Sequence, residues 1–270
     1  MVEEVSVSPL APSIPVVFIH GSAIHASSWD GWAELFAAAG YPAVAPGWPG
    51  EAATVQETRR HPETLRNHGV GALTEHYQAI IADLPATPIV IGHCVGGVIA
   101  QRLLGRGFAR ACIALAPAPF RGVLRFRLTQ LRTAATGLGD RGRQTRTWAG
   151  TADSYYRRAG NCLSRSESDR LFHAFSIPAA ELQLRQLVNT AICRDTAVDR
   201  RSERGPLLMI AGSADRTASA AAVYSGYKNE RRHTGVTQFT IFDRGHSLSA
   251  DHGWTEIAGT ALNFLSYNGL

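Results

Sequence analysis

Several signatures that would assign a chain to a class at once are missing from these 270 residues. The four cysteines, Cys94, Cys112, Cys162 and Cys193, form no Cys-x-x-Cys pair and have no zinc-ligand spacing with histidine. Neither a disulfide framework nor a metal site is indicated, and no cofactor is implied. Unpaired thiols suit a reducing compartment, so a cytoplasmic location is the expectation. No apolar run approaches the ~20 residues of a membrane-spanning helix, and no membrane role is expected. The start, Met1-Val2-Glu3-Glu4, is acidic and leads into no apolar run, so a secretory signal is not expected either. No basic stretch is interleaved with aromatics, which sets nucleic acid aside as a partner. Lysine is nearly absent: Lys228 stands alone, and arginine carries the rest of the positive charge.

What is present fits a globular chain with a substantial core. Hydrophobic residues make up 45% and charged residues 18%, enough for one large α/β domain or two small ones. The net charge of +5 is unevenly placed: ten arginines and a single acid, Asp140, lie between Arg102 and Arg146. That stretch is either a solvated face or a docking surface for an acidic partner, such as an acyl-carrier protein, or for an anionic substrate.

Strands and helices alternate along most of the chain. Residues Val5 to Pro15 carry three prolines and suggest a surface segment or a short edge strand. Val16 to Ile19 reads as a buried parallel strand, followed by a helix from about Trp29 to Ala39 and a short strand, Ala43 to Ala45. Glu51 to Gly69 is polar with little periodicity and reads as a surface excursion. A helix is expected from Leu73 to Leu84, a strand from Pro88, a helix ending near Gly105, and a strand from Ala111 to Leu115. From Phe120 to about Gly205 only helical fragments follow: Val123 to Thr136, Ser154 to Ala159, Glu167 to Phe175 and Glu181 to Thr190. This is too long for a structureless loop and reads as an inserted helical cap. The rhythm resumes with a strand from Pro206 to Ala211, a helix from Ala218 to Lys228, a strand from Thr237 to Phe242 and a helix from Trp254 to Leu265. Residues 1–119 and 206–270 would then form the core, an open and mostly parallel sheet flanked by helices, with 120–205 as the cap.

The stretch Gly92-His93-Cys94-Val95-Gly96-Gly97 joins an apolar strand to a helix. Its Gly-x-Cys-x-Gly spacing is that of a nucleophile elbow, with sulfur where serine is common. A sharp strand-to-helix turn strains its tip residue and needs neighbours without side chains, which Gly92 and Gly96 supply. Taken alone, Cys94 is equally a buried structural thiol. Other strand ends change the balance. His20-Gly21-Ser22 follows the first strand, Asp215 follows the strand after the cap, and His246 follows the last. Sites in such sheets lie at these carboxyl ends.

With His20-Gly21, Gly92 to Gly97, Gly212-Ser213-Ala214-Asp215 and Gly245-His246-Ser247 in this order, the sequence resembles the α/β-hydrolase superfamily. The likeness is to its small cap-bearing esterase, lipase and haloperoxidase-like members. The resemblance implies that fold and a triad of Cys94, Asp215 and His246. It also implies an oxyanion hole from the backbone N–H groups of Ser22 and Val95. Cys94 would attack a carbonyl, His246 would manage the proton, and Asp215 would orient His246. Asp215 could instead cap the following helix; Asp243 and His252 are less well placed for the chemistry.

Sulfur leaves several functions open. A cysteine hydrolase acting on an ester or thioester is the first. An acyltransferase or ring-closing cyclase that releases a thioester-bound chain is the second. A Ser→Cys variant of a serine esterase and a non-catalytic binding protein on this fold are others. The thiolate is the reactive form, and both a histidine and a helix N-terminus favour it. Candidate pocket residues are His25, Trp29 and Trp48 near strand ends. On the cap they are Leu124, Phe126, Leu128, Leu131, Trp148, Tyr155, Phe172, Phe175 and Leu187.

Overall fold

A computed structural model describes residues 14–123, 147–188, 193–199, 203–231 and 235–270. Four strands come first: β1 (Val16–Ile19), β2 (Ala43–Val44), β3 (Ile89–His93) and β4 (Ala111–Leu115). An inserted segment carries β5 (Thr147–Trp148) and β6 (Ala179–Ala180). It is followed by β7 (Leu207–Gly212) and β8 (Thr237–Phe242). The main sheet has the order β2-β1-β3-β4-β7-β8, and every neighbouring pair in it is parallel. Every residue of β1, β3, β4 and β7 is buried. Strands covered on both faces need apolar side chains at every position, and these have almost nothing else. The edge strand β8 is half exposed, as its mixture of Thr, Gln and Phe requires.

Helices flank the sheet. They are α1 (Asp30–Ala38), α2 (Val55–Arg60), α3 (Val70–Ala82) and α4 (Val95–Gly105) before the insertion. The insertion holds α5 (Ala152–Arg158), α6 (Arg165–Phe175) and α7 (Glu181–Val188). The chain closes with α8 (Ala220–Glu230) and α9 (Trp254–Tyr267). All eleven residues of α4 are buried, including Arg102, whose guanidinium donates to Thr74 Oγ1 (3.0 Å) and the Ala197 carbonyl (2.7 Å). A helix apolar on nearly every side belongs at the centre of a fold, and α4 packs on both β3 and β4. The aromatic part of the core surrounds Phe18, with Trp29 stacked at 5.0 Å and Phe36 edge-on at 5.4 Å.

The structure departs from the sequence expectations in places. Residues 51–69 are not a plain surface excursion. Thr54 caps α2 by accepting from the Glu57 N–H, and Val55 and Leu65 are buried with Ile177 of the insertion. The insertion, expected to hold only helices, contains the short antiparallel ladder of β5 and β6. Two residues per strand are too few to leave an alternating pattern. Helix α3 begins at Val70, three residues before the periodicity suggests. Most of the expected segment Val5 to Pro15, and the expected helix from Val123 to Thr136 after its first residue, lie outside the described residues. So do Leu124, Phe126, Leu128, Leu131 and the arginines from Arg125 to Arg146. Among the described residues no helix is long and apolar enough to cross a membrane.

Candidate active site

Cys94 stands between β3 and α4 with φ 55° and ψ −114°, a backbone conformation that costs a non-glycine residue about 1–3 kcal/mol. The local sequence makes this turn possible. A Cβ on Gly92 would run into the Gly96 carbonyl, and one on Gly96 into the carbonyl oxygens of Ile19 and His20. A Cβ on Gly21 would stand 3.0 Å from that of Cys94, so the loop after β1 lies directly against the elbow. Cys94 is the N-cap residue of α4, where the positive end of the helix favours an anion.

Asp215 and His246 come together from the ends of β7 and β8. His246 Nδ1 lies 2.7 Å from Asp215 Oδ2, in a pair buried almost completely. The other carboxylate oxygen, Oδ1, accepts from the backbone N–H groups of Thr217 (2.6 Å) and Ala218 (2.8 Å). Asp215 thus orders its own turn and also holds the histidine, while Ser219 caps α8. Burial on its own would lower the basicity of His246. The Asp215 charge and the Cys94 sulfur, which also hydrogen-bonds the ring, outweigh it and raise the imidazole well above its usual range. With Nδ1 taken by Asp215, Nε2 is left for the sulfur. Asp243 faces elsewhere and accepts from Ser213 Oγ at 2.7 Å. His252 pairs with Glu167 of α6 at 3.0 Å.

His93, one residue before the thiol, has its Nε2 at 2.9 Å from the His246 carbonyl and its ring 4.7 Å from the His246 ring. Burial, with the charge on His246, pulls its imidazole down to about 3, so it is neutral and its Nε2–H donates. An unfolded histidine titrates near 6.5, so between that pH and about 3 the unfolded chain binds a proton that the folded one excludes. Stability therefore falls as pH falls through this window. His93→Gln keeps a donor and removes the titration. Its unfolding free energy, from urea titrations, is expected to drop less than the wild type's between about pH 6 and about pH 4, by at most ~1.4 kcal/mol per pH unit. Identical acid slopes would contradict the assignment.

The loop after β1 carries Ser22, and its surroundings include a residue that sequence reasoning missed. Glu51 has a side chain only 1% exposed. Its Oε2 lies 3.0 Å from His20 Nε2, and its Oε1 accepts from the Ala26 N–H at 2.8 Å. Burial would raise its carboxyl, but the neighbouring His20, with hydrogen bonds from His20 and Ala26, brings it below the usual range. Trp48 stacks on His20 at 4.4 Å. His25 Nδ1 accepts from the Ser27 N–H (3.1 Å), which leaves Nε2–H to donate to the Ala52 carbonyl (3.0 Å). Glu51 opens a polar stretch with little periodicity and carries no sequence signal for this, because the contact is made only when the loops meet.

The candidate pocket residues divide. Trp29 is 1% exposed and sits in the core against Phe18, not at a pocket mouth. Trp48 and His25 are buried, Trp48 against His20 and His25 within the loop after β1 with its ring on the Ala52 carbonyl. Phe172 and Tyr155 are half-buried in the insertion with ring centroids 6.0 Å apart, and Leu187 packs against the core. Trp148 lies in β5. A cavity of about 380 Å³ is lined by Cys162, Leu163, Asp243, Arg244, Asp251 and His252 among others, and by none of Cys94, Asp215 or His246. Among the described residues no group of three or more His, Cys, Asp or Glu is placed to hold a metal ion.

Residues 16–260 match a family model described as the alpha/beta hydrolase family. No curated protein matches the sequence. Among solved structures, a methylesterase from Arabidopsis shares 16% identity over 94% of this chain and 99% of its own, with a TM-score of 0.63. A monoacylglycerol lipase from Paleococcus ferrophilus shares 18% over 95% and 96%, with a TM-score of 0.66. An extracellular alpha/beta-hydrolase from a Paenibacillus species shares 16% over 93% and 98%, with a TM-score of 0.67. At such identities the likeness is one of fold.

Proposed function

We propose that this chain, which belongs to the alpha/beta hydrolase family, hydrolyses a small ester or thioester through a covalent S-acyl intermediate on Cys94. The carrying observation is the buried 2.7 Å pair of His246 and Asp215 beside a thiol on a strained elbow. Nucleophile, base and orienting carboxylate within reach of one another are what covalent acyl chemistry needs. Ester substrates are favoured by the names of fold neighbours, a methylesterase, a monoacylglycerol lipase and a pyrethroid hydrolase.

In this mechanism the raised basicity of His246 suits its Nε2 to take the Cys94 proton as the sulfur attacks. The sulfur attacks the carbonyl carbon, a C–S bond forms, and the carbonyl electron pair moves to oxygen. The N–H groups of Val95 and Ser22 donate hydrogen bonds to that oxyanion. The C–O or C–S bond to the leaving group then breaks as His246 gives it a proton. Water attacks the S-acyl carbon while His246 Nε2 takes its proton, and the carboxylic acid leaves as that proton returns to the sulfur. Asp215 keeps the ring oriented in both half-reactions. The inserted segment acts as a cap, with Phe172 and Tyr155 as candidate walls.

The sulfur also favours a second outcome, because a thioester passes its acyl group readily to an amine or thiol. Products from a p-nitrophenyl ester and from an acyl thioester, with and without an added amine, separate the two. Free acid at a rate indifferent to the amine is expected. Amide formed faster than acid would make the enzyme a transferase, and p-nitrophenol release no faster than in Cys94→Ala would overturn the proposal.

A further inference from the structure

Ser22, whose N–H the mechanism uses, lies in a loop that is held from outside. Ala23 has φ 62°, a left-handed conformation that persists in a residue with a side chain only where its surroundings impose it. Backbone bonds from the insertion supply part of that: His25 N–H donates to the Phe175 carbonyl (2.8 Å), and Ile177 N–H to the Ala23 carbonyl (3.2 Å). Two buried polar side chains supply the rest. Glu51 reaches up after β2 and accepts from the Ala26 N–H, with His20 and His25 against its two oxygens. Gln183 reaches down from α7 and is 1% exposed. Its Oε1 accepts from Ser22 Oγ at 2.9 Å, and its Nε2 donates to the His68 carbonyl at 3.0 Å.

We infer that Glu51 and Gln183 are positioning residues that fix the Ser22 N–H where the oxyanion forms, one from the core and one from the inserted segment. This rests on the acyl chemistry proposed above. An oxyanion donor contributes only when it already stands about 2.7–3.1 Å from where the charge develops. A loop with a strained residue at its centre does not keep that geometry unaided. The negative charge of Glu51 would oppose an oxyanion if it faced one. It is turned instead onto Ala26 N–H and the two imidazoles. Through Gln183, seating of the insertion and assembly of the oxyanion site become one event.

Two reagents separate this role from general damage. Iodoacetamide alkylates a thiolate and forms no oxyanion. A trifluoromethyl ketone adds the Cys94 sulfur to its carbonyl carbon, and the electron pair goes to an oxygen that must sit in the hole. Glu51→Leu keeps the side chain's approximate size and removes its acceptor for Ala26; Gln183→Met keeps length and removes both hydrogen bonds. In each, alkylation of Cys94, followed on its peptide by mass spectrometry, should stay within about 2-fold of wild type, while ketone affinity falls about 10-fold or more. Unchanged ketone affinity in a folded variant overturns the role for that residue, as does alkylation that falls in the same proportion. Should one variant fail to fold, the other carries the test. A wild type alkylated no faster than His246→Ala would bring down the acyl chemistry and this inference with it.

Discussion

His246→Ala is expected to lose at least about 10³-fold in kcat/KM toward an activated ester, about 4 kcal/mol of transition-state stabilisation. The size follows from what the ring does twice. It takes the Cys94 proton as the sulfur attacks, and it delivers and later removes the proton at the reacting oxygen. Asp215→Asn leaves a ring in place but loses the charge that holds it in the working tautomer, so its loss should approach the same order. The two changes together should cost little more than His246→Ala alone, because the groups act as a unit. Alkylation of Cys94 by iodoacetamide should slow in parallel. Losses that simply multiply would mean that the 2.7 Å pair is structural and separate from the thiol.

Gly96→Ala is expected to destabilise the fold by about 3 kcal/mol or more, read from the urea midpoint. The added methyl meets the backbone carbonyls of Ile19 and His20, which belong to β1 and to the loop after it. Neither can retreat without breaking the pairing of β1 with β3, where Ile19 stands opposite Gly92. Overpacking against a flexible side chain would be milder. Gly259, in the middle of α9, is the control: a Cβ there meets nothing within 4 Å. Gly259→Ala should be neutral or stabilise by up to about 1 kcal/mol, through helix propensity alone. Equal effects at the two glycines would contradict the close approach at the elbow.

The parts of the site legible in the sequence are those set by local rules. Apolar strands ending in Gly-x-Cys-x-Gly, in Asp215 and in His246 reveal their ends through composition and spacing. The sheet order then brings those ends to one edge. Glu51 and Gln183 were not legible for the opposite reason. Each is a polar residue in a polar stretch, and its burial is created by distant loops, 20–26 for Glu51 and 22 with 68 for Gln183. Trp29 and Trp48 show the same limit in reverse. A tryptophan near a strand end gives no sign of whether it will face a pocket or pack inward, and the structure buries both, Trp29 against Phe18 and Trp48 on His20. The ladder of β5 and β6 is set by tertiary contact alone.

The most direct measurement is the intact mass of the protein, quenched in acid soon after mixing with a p-nitrophenyl ester, followed by peptide mapping. An added acyl group on the peptide containing Cys94 is expected, absent from Cys94→Ala and decaying as free acid is released. Burst release of p-nitrophenol with no acyl group on Cys94, or turnover that survives Cys94→Ala, would contradict a covalent sulfur mechanism.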